Sequence, residues 1–370
     1  MTIGSEHYID TNMQDSFKNR VTKFWKSFSE EEYQIREMMD NKVEGETLLN
    51  FVDSILQIAF NKVYFEMGVN NEGKYELILT PEGDRTRLML LHYWLQYAPQ
   101  HLLKYWNFYS TKPAHGKPGA IIDMFDIRIG EDDIIIYPEM DNDKSKVNIE
   151  LYSPKLMALD ENKRYSMFFI YLDQFIGELY TMEYIGYIDF VEEKQNKRSS
   201  TISDLKPFID KAIKDHGWPK FDNPCEIYSG YRMEPTENEN WKLREDVFSG
   251  YTSCTPLLND YYNGENKRSD EAKENGVVFG FLFFENINIP RENVVNFRGE
   301  IEDKITAATN PYGLANSLGG ATGFHFSYID FIIYDYEAFI PIVREILSGY
   351  KLEETGFSDF TAEAKPLIFN

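Results

Sequence analysis

Cysteine is nearly missing: the 370 residues hold only Cys225 and Cys254, with no Cys-x-x-Cys pair. That excludes a disulfide framework and a cysteine-built zinc site and points to a reduced compartment. Long apolar runs are missing too, the longest being about eight residues against the ~20 that span a bilayer. Met1-Thr2-Ile3-Gly4-Ser5-Glu6-His7 has no basic stretch leading into an apolar one, as a secretion signal would. A cytoplasmic protein without membrane contact is expected. Positive charge is scarce, with 38 Lys and Arg against 61 Asp and Glu and a formal charge of −23. The surplus is spread evenly, with 22 basic and 33 acidic groups in residues 1–200 and 16 and 28 thereafter. A field of that sign repels phosphate backbones and anionic lipid, so nucleic acid and membrane are disfavoured as partners and a basic protein is favoured. Keeping the chain soluble is the plainer use of the same charge.

Metal and nucleophile signatures are also lacking. The six histidines, at 7, 92, 101, 115, 216 and 325, include no His-Glu-x-x-His. Asp141-Asn142-Asp143 lacks the glycine and the closing acid of a calcium loop. Thr252-Ser253-Cys254 is not the Gly-x-Ser-x-Gly elbow, and Cys254 reads as an inert thiol. No metal and no cofactor is expected, and no catalytic residue is assigned.

What the chain does have is rings. Aromatics make up 15% of it, with 25 Tyr and 27 Phe, a content that only a folded core can use. Length argues for two domains. Phe17, Val21, Phe24 and Phe28 recur at helical spacing beside Trp25, and Leu48, Val52, Ile55 and Ala59 do the same. The period then drops to two, and Val63–Met67 and Tyr75–Leu79 around Asn70-Asn71 and Gly73 predict a hairpin. Asp84 predicts a helix N-cap, and Pro99 that helix's end. Further strands are expected at 105–109, 132–137, 147–152 and 184–191, with a helix over 167–179. The polar run Glu192–Ser200 reads as a linker.

The best-specified stretch runs from Gly276 to Gly349. It holds the apolar run Val277–Phe284, a helix with Val294, Phe297, Ile301 and Ile305 on one face, the glycine turn Gly319-Gly320-Ala321-Thr322-Gly323, a strand Phe324–Asp335 and a closing helix. Tyr187-Ile188-Asp189-Phe190 recurs as Tyr328-Ile329-Asp330-Phe331, each followed by an amphipathic helix. The fold expected is therefore α+β: two tandem ferredoxin-like α/β sandwich units, 1–200 and 201–370, with mixed or antiparallel sheets covered by helices. The segment 218–262, rich in Tyr, Trp, Gly and Pro, has no period and reads as an irregular binding segment.

Arg244, Asp246 and Tyr251, with Trp241 nearby, form the most site-like cluster. An Arg fork and a carboxylate among rings suit a ligand or a peptide, or else an internal Arg–Asp pair that pins the loop. Asp330, in the middle of an apolar strand, joins them as a buried acid that needs a partner. The glycine turn precedes a strand rather than a helix, so a structural turn or bulge is expected in place of a phosphate nest.

Phe24-Trp25-x-x-Phe28, Phe65-Glu66-x-Gly68, Glu76-Leu77-Ile78-Leu79-Thr80 and Gly177-Glu178, with Arg244–Thr252 and Gly319–Gly323 in the second half, resemble a family of uncharacterised bacterial proteins, a domain of unknown function. The resemblance spans most of the chain and implies no activity or catalytic residue. Two functions stay open. One is a non-catalytic partner-binding protein of inhibitor, immunity or regulatory type, with Arg244, Asp246, Tyr251, Trp241 and Asp330 at its surface and room for a homodimer. The other is a small-molecule-binding or hydrolytic protein using a cleft between the units.

Overall fold

The computed structural model describes residues 15–117, 119–220, 223–236 and 242–370. In chain order, helices α1 (Phe17–Asp40) and α2 (Gly45–Ala59) precede strands β1 (Tyr64–Val69) and β2 (Tyr75–Thr80) and helix α3 (Arg85–Gln96). Strands β3 (Trp106–Tyr109), β4 (Ile121–Met124), β5 (Ile127–Gly130), β6 (Ile135–Asp141) and β7 (Lys146–Tyr152) follow. Helices α4 (Pro154–Met157), α5 (Glu161–Ile176) and α6 (Glu178–Tyr184) lead to β8 (Ile185–Phe190) and α7 (Leu205–His216). Next come β9 (Ser229–Arg232), β10 (Val247–Thr252), α8 (Thr255–Asn263), α9 (Lys267–Glu274) and β11 (Val278–Glu285). The chain closes with α10 (Val294–Thr309), β12 (Ala315–Gly323), β13 (Phe326–Ile333), α11 (Tyr336–Ser348), β14 (Thr355–Asp359) and β15 (Leu367–Ile368). The fold is α+β, and no helix among the described residues is long and apolar enough to cross a membrane.

The two compact units are interleaved, where two consecutive halves were expected. One takes residues 15–63, 84–104 and 223–370, the other 64–83 and 105–220. The run read as a linker lies inside the second unit: Ser200 bridges to Ile136, and Lys197 pairs with Glu150 at 2.6 Å.

The first unit is built on a seven-stranded sheet in the order β15-β14-β11-β13-β12-β10-β9, antiparallel throughout. Its centre is a β-α-β-β-α-β run whose strands lie in the order fourth, first, third, second. On one face α10 and α11 bury Ile301, Ile305, Phe339 and Val343 against Leu282, Ile329 and Phe331. On the other face the rings of Phe281, Tyr328 and Phe360 meet edge to face, joined by Tyr261 from α8. Both faces are covered, which is why β11 and β13 read as continuous apolar runs. The α1 ring stripe packs with α3, where Trp25 stacks on Trp94 at 4.9 Å and its indole N–H donates to the Trp94 carbonyl at 3.0 Å. Asp84 caps α3 as expected, accepting from the amides of Thr86 and Arg87.

The second unit has two three-stranded sheets, β1-β2-β3 and β6-β7-β8, and the β4-β5 hairpin. Helices α5 and α7 bury Phe168, Leu172 and Ile209 with Ile136, Ile149 and Leu151. The four-residue repeat does not mark a repeated unit. Tyr187 and Asp189 are exposed on β8, which runs parallel to β7 alone, whereas Tyr328 and Asp330 are buried on β13 between two antiparallel neighbours.

The expected glycine turn is strand β12, and the turn falls at Phe324-His325 instead. A register shift between Ser317 and Gly319 makes a bulge, and Gly319 has φ +112°. A Cβ there would lie 2.3 Å from the Tyr251 carbonyl oxygen. Gly319→Ala is expected to lose roughly 2–4 kcal/mol in urea unfolding, since backbone strain and a backbone clash add. Gly299, inside α10, has nothing within 4 Å of its added Cβ. Gly299→Ala is expected to gain about 0.5–1 kcal/mol. Equal effects at the two sites would refute this account of β12.

Candidate functional site

Asp330 lies on a strand buried along its whole length, and Arg244 meets it there. The two guanidinium nitrogens reach the two carboxylate oxygens at 2.5 and 3.3 Å, with Arg244 0% and Asp330 1% exposed. The Tyr231 hydroxyl accepts from the same guanidinium at 3.0 Å, and the rings of Phe281, Tyr328 and Phe360 lie 5.0, 5.2 and 5.0 Å from its centre. Burial alone would lower the Arg244 pKa, but the charge of Asp330 overrides it and the net direction is upward. Arg244 reaches this position with φ +74°, a left-handed backbone that side chains rarely adopt, held by its amide donating to the Tyr328 hydroxyl at 2.9 Å.

Asp246 does not pair with Arg244. One of its oxygens accepts from the Tyr328 hydroxyl at 2.5 Å, and the other from the amides of His325 and Phe326, each at 2.9 Å. It therefore caps the β12–β13 turn. A Cβ on Gly323 would fall 2.1 Å from that carboxylate, so the glycine is required by the acid above it. Of the five residues nominated from sequence, Arg244, Asp246 and Asp330 thus come together but are sealed and offer no atom to a partner. Trp241 lies outside the described residues.

Tyr251 belongs elsewhere. Register places it on the α10 side of the sheet, opposite Gly320, where its hydroxyl donates to Glu302 at 2.9 Å. Glu302 also accepts from the Ser317 hydroxyl, and Ser317 in turn accepts from the Gly319 amide at 3.1 Å, which locks the bulge. Arg298, one turn before Glu302, lies 5.3 Å from the Tyr251 ring and donates to the Thr322 hydroxyl at 2.9 Å. Burial raises the Glu302 carboxyl against the opposing pull of Ser317, Tyr251 and Arg298, and burial followed by Glu302 pushes Tyr251 up to about 12. Chemically this is a carboxyl of raised pKa that accepts from a phenol and a hydroxyl, with a guanidinium near enough to pull against the rise. Sequence reading missed Arg298 and Glu302. The available signal was that Arg298 occupies an apolar position of its helix, between buried Val294 and Ile301.

A third cluster lies in the second unit. Glu178, at the start of α6, accepts from the Thr80 hydroxyl at 2.8 Å, the Gly83 amide at 3.3 Å and the Lys112 amide at 3.0 Å, tying three segments together. Asp173 of α5 lies nearby with one buried oxygen that lacks a hydrogen-bond partner. Its pKa rises to about 7, through burial first and then the charges of Glu178 and Glu82, against a hydrogen bond from Thr181 and the charge of Lys112. Cys225 and Cys254 are free and buried, and burial pushes both thiols up to about 12, so they are protonated at neutral pH. Among the described residues no group of three or more His, Cys, Asp or Glu is placed to hold a metal ion.

Set against family models, curated proteins and solved structures, the chain finds no match.

Two outcomes follow from this geometry. Arg244→Met should cost about 3–5 kcal/mol, because it strands a buried carboxylate, and Arg244→Met/Asp330→Leu should recover part of that loss in a double-mutant cycle. Additive losses would show that the pair is not coupled. The folded pKa of Asp173 lies above its unfolded value, so its contribution to stability is complete at low pH and is lost as pH rises through about 7. Asp173→Asn lacks that penalty, and its stability relative to wild type should rise by on the order of 2–4 kcal/mol between pH 5 and pH 8.5. A pH-independent difference would rule out the raised pKa.

Proposed function

We propose that this chain is a non-catalytic interaction protein, of the inhibitor, immunity or regulatory kind, whose partner is a basic protein surface. One ferredoxin-like sandwich, the β11-α10-β12-β13-α11-β14 run, is its rigid base, extended at the edges by β9, β10 and β15. The observation that carries the reading is the outer face of α1. Glu30, Tyr33, Glu37 and Asp40 repeat at three, four and three residues, and all four are exposed. Tyr33 is 60% exposed, with its hydroxyl on Glu37 at 2.9 Å. Past Phe28 the helix buries only Ile35, and Glu30, Tyr33, Gln34, Glu37 and Asp40 are exposed. Residues 30–53 carry eight carboxylates against Arg36 and Lys42, and Arg36 is already held by Glu32 at 2.7 Å. Val43 and Leu49 are exposed beside the α1–α2 turn, which adds apolar contact to the charge.

Such a face suits a partner segment rich in Lys or Arg with an apolar side, where charge sets encounter and the ring and Leu49 set residence. Glu37→Lys/Asp40→Lys changes exposed positions only and should leave the unfolding midpoint near that of wild type. In affinity capture from host lysate, wild type should retain a basic protein at ~50 mM salt and release most of it at ~200 mM, as screening demands. The double variant should lose it at both. Equal retention by the variant, or retention of acidic proteins only, would reject the assignment.

A further inference from the structure

The second unit holds a groove of about 580 Å³ between α6 and α7, within the range of small-ligand sites. Its making is local. Gly217 ends α7 in the left-handed region at φ +66°, and the chain turns so that Trp218 falls back under the helices and is buried. The Trp218 and Tyr184 rings lie 6.4 Å apart with planes inclined by 16°. Their polar ends are already satisfied, the indole N–H on Asn142 at 3.2 Å and the phenol on the Pro219 carbonyl at 2.8 Å. Trp218 and Tyr184 are 5% and 3% exposed, so only a small part of each ring reaches the groove, and Leu179 and half-buried Tyr180 supply more of its apolar lining. Ile213 adds to this apolar floor.

The rim carries charge of the sign this chain has least of. Asp210 is held internally, by the Tyr180 hydroxyl at 2.8 Å and by Lys206 at 3.1 Å, and Lys206 also lies 4.1 Å from the centre of the Tyr180 ring. Lys214 and Lys220 line the same groove, are exposed, and form no ion pair among the described residues. Two exposed ammonium groups on one groove stand out in a chain of charge −23.

We propose that this groove binds a small flat molecule bearing one carboxylate or phosphate, with its ring against the apolar lining beside Trp218 and its anion held by Lys214 and Lys220. The site is independent of the acidic face of α1 and stands or falls separately from it.

The test uses the whole chain with nitrogen-labelled tryptophan, the Trp218 indole resonance being assigned through Trp218→Phe. Benzoate, phenyl phosphate, inorganic phosphate and neutral benzyl alcohol are titrated in parallel. Benzoate or phenyl phosphate should move the Trp218 resonance saturably, with Kd between roughly 0.1 and 5 mM, as few contacts allow. The tighter of the two identifies the anion. Benzyl alcohol and inorganic phosphate should bind at least about tenfold more weakly, each lacking one of the two recognition elements. Lys214→Ala/Lys220→Ala, both exposed and so neutral for folding, should weaken the aromatic anion by about tenfold or more. No saturable shift up to ~20 mM, equal binding of benzyl alcohol, or unchanged affinity in the double variant would each overturn the proposal.

Discussion

A carboxylate in the centre of a strand covered on both faces has to be answered, and the first unit is arranged around the answer. Asp330 is met by Arg244, through both nitrogens and with three rings about the guanidinium. Removing two charges from water consumes most of what their attraction returns, so the pair adds little net stability. Its consequence is geometric. The segment carrying Arg244 has to enter in a left-handed conformation, and its amide and carbonyl are then fixed by the hydroxyls of Tyr328 and Tyr262. Two residues on, Asp246 is delivered to the β12–β13 turn and bonds two of its amides. One ion pair thereby sets the register of the strand that follows it, β10, against β12.

The glycines of β12 belong to the same arrangement. Polar and aromatic side chains of neighbouring elements lie over this strand where a Cβ would stand, with Tyr251 at Gly319, Arg298 near Gly320 and Asp246 at Gly323. Arg298 and Tyr251 come from one side of the sheet, and Asp246 bonds Tyr328, whose hydroxyl also serves the Arg244 segment on the other. Where a strand carries glycine it can accept close neighbours, at the expense of the packing that side chains would have supplied. The tight approach of α10 to β12 is thus tied to the same residues that hold β10.

Periodicity made the helices and the central strands legible. The ring stripe of α1, the Asp84 cap, and β11 and β13 all declare themselves through spacing, because burial on one or both faces imposes it. The β-α-β-β-α-β core was legible except for β12, whose glycines mimic a turn. Glycine carries no alternation, and only the neighbours that fill its vacant positions show that it is strand. Strands β9 and β10 were hidden for a related reason, since their residues answer to Arg244 and Asp330 rather than to a periodic face. The interleaving of the units was illegible because it depends on which distant segments pair, and a four-residue repeat was mistaken for shared topology. At the site, Arg244, Asp246 and Asp330 stand out in the sequence, yet nothing there shows that Arg244 takes the acid 86 residues away over the one two residues away. Tyr251 was misassigned because side chains alternate along a strand, and its register sends it to the opposite face from the ion pair.

Charge segregation links this interior to what the surface can do. Arg20, Arg85, Arg244, Arg268 and Arg298 all donate to groups of their own unit, Arg85 to the carbonyl of Pro224 and Arg268 to both Asp84 and Asp260. Arg244 and Arg298 are buried and reach no surface carboxylate, and the field there stays acidic. On α1 that field coincides with the exposed ring of Tyr33, and Val43 and Leu49 are exposed beside the α1–α2 turn. A partner that neutralised the stripe would relieve repulsion among its own-sign neighbours while burying Tyr33, so charge and burial would act in the same direction there.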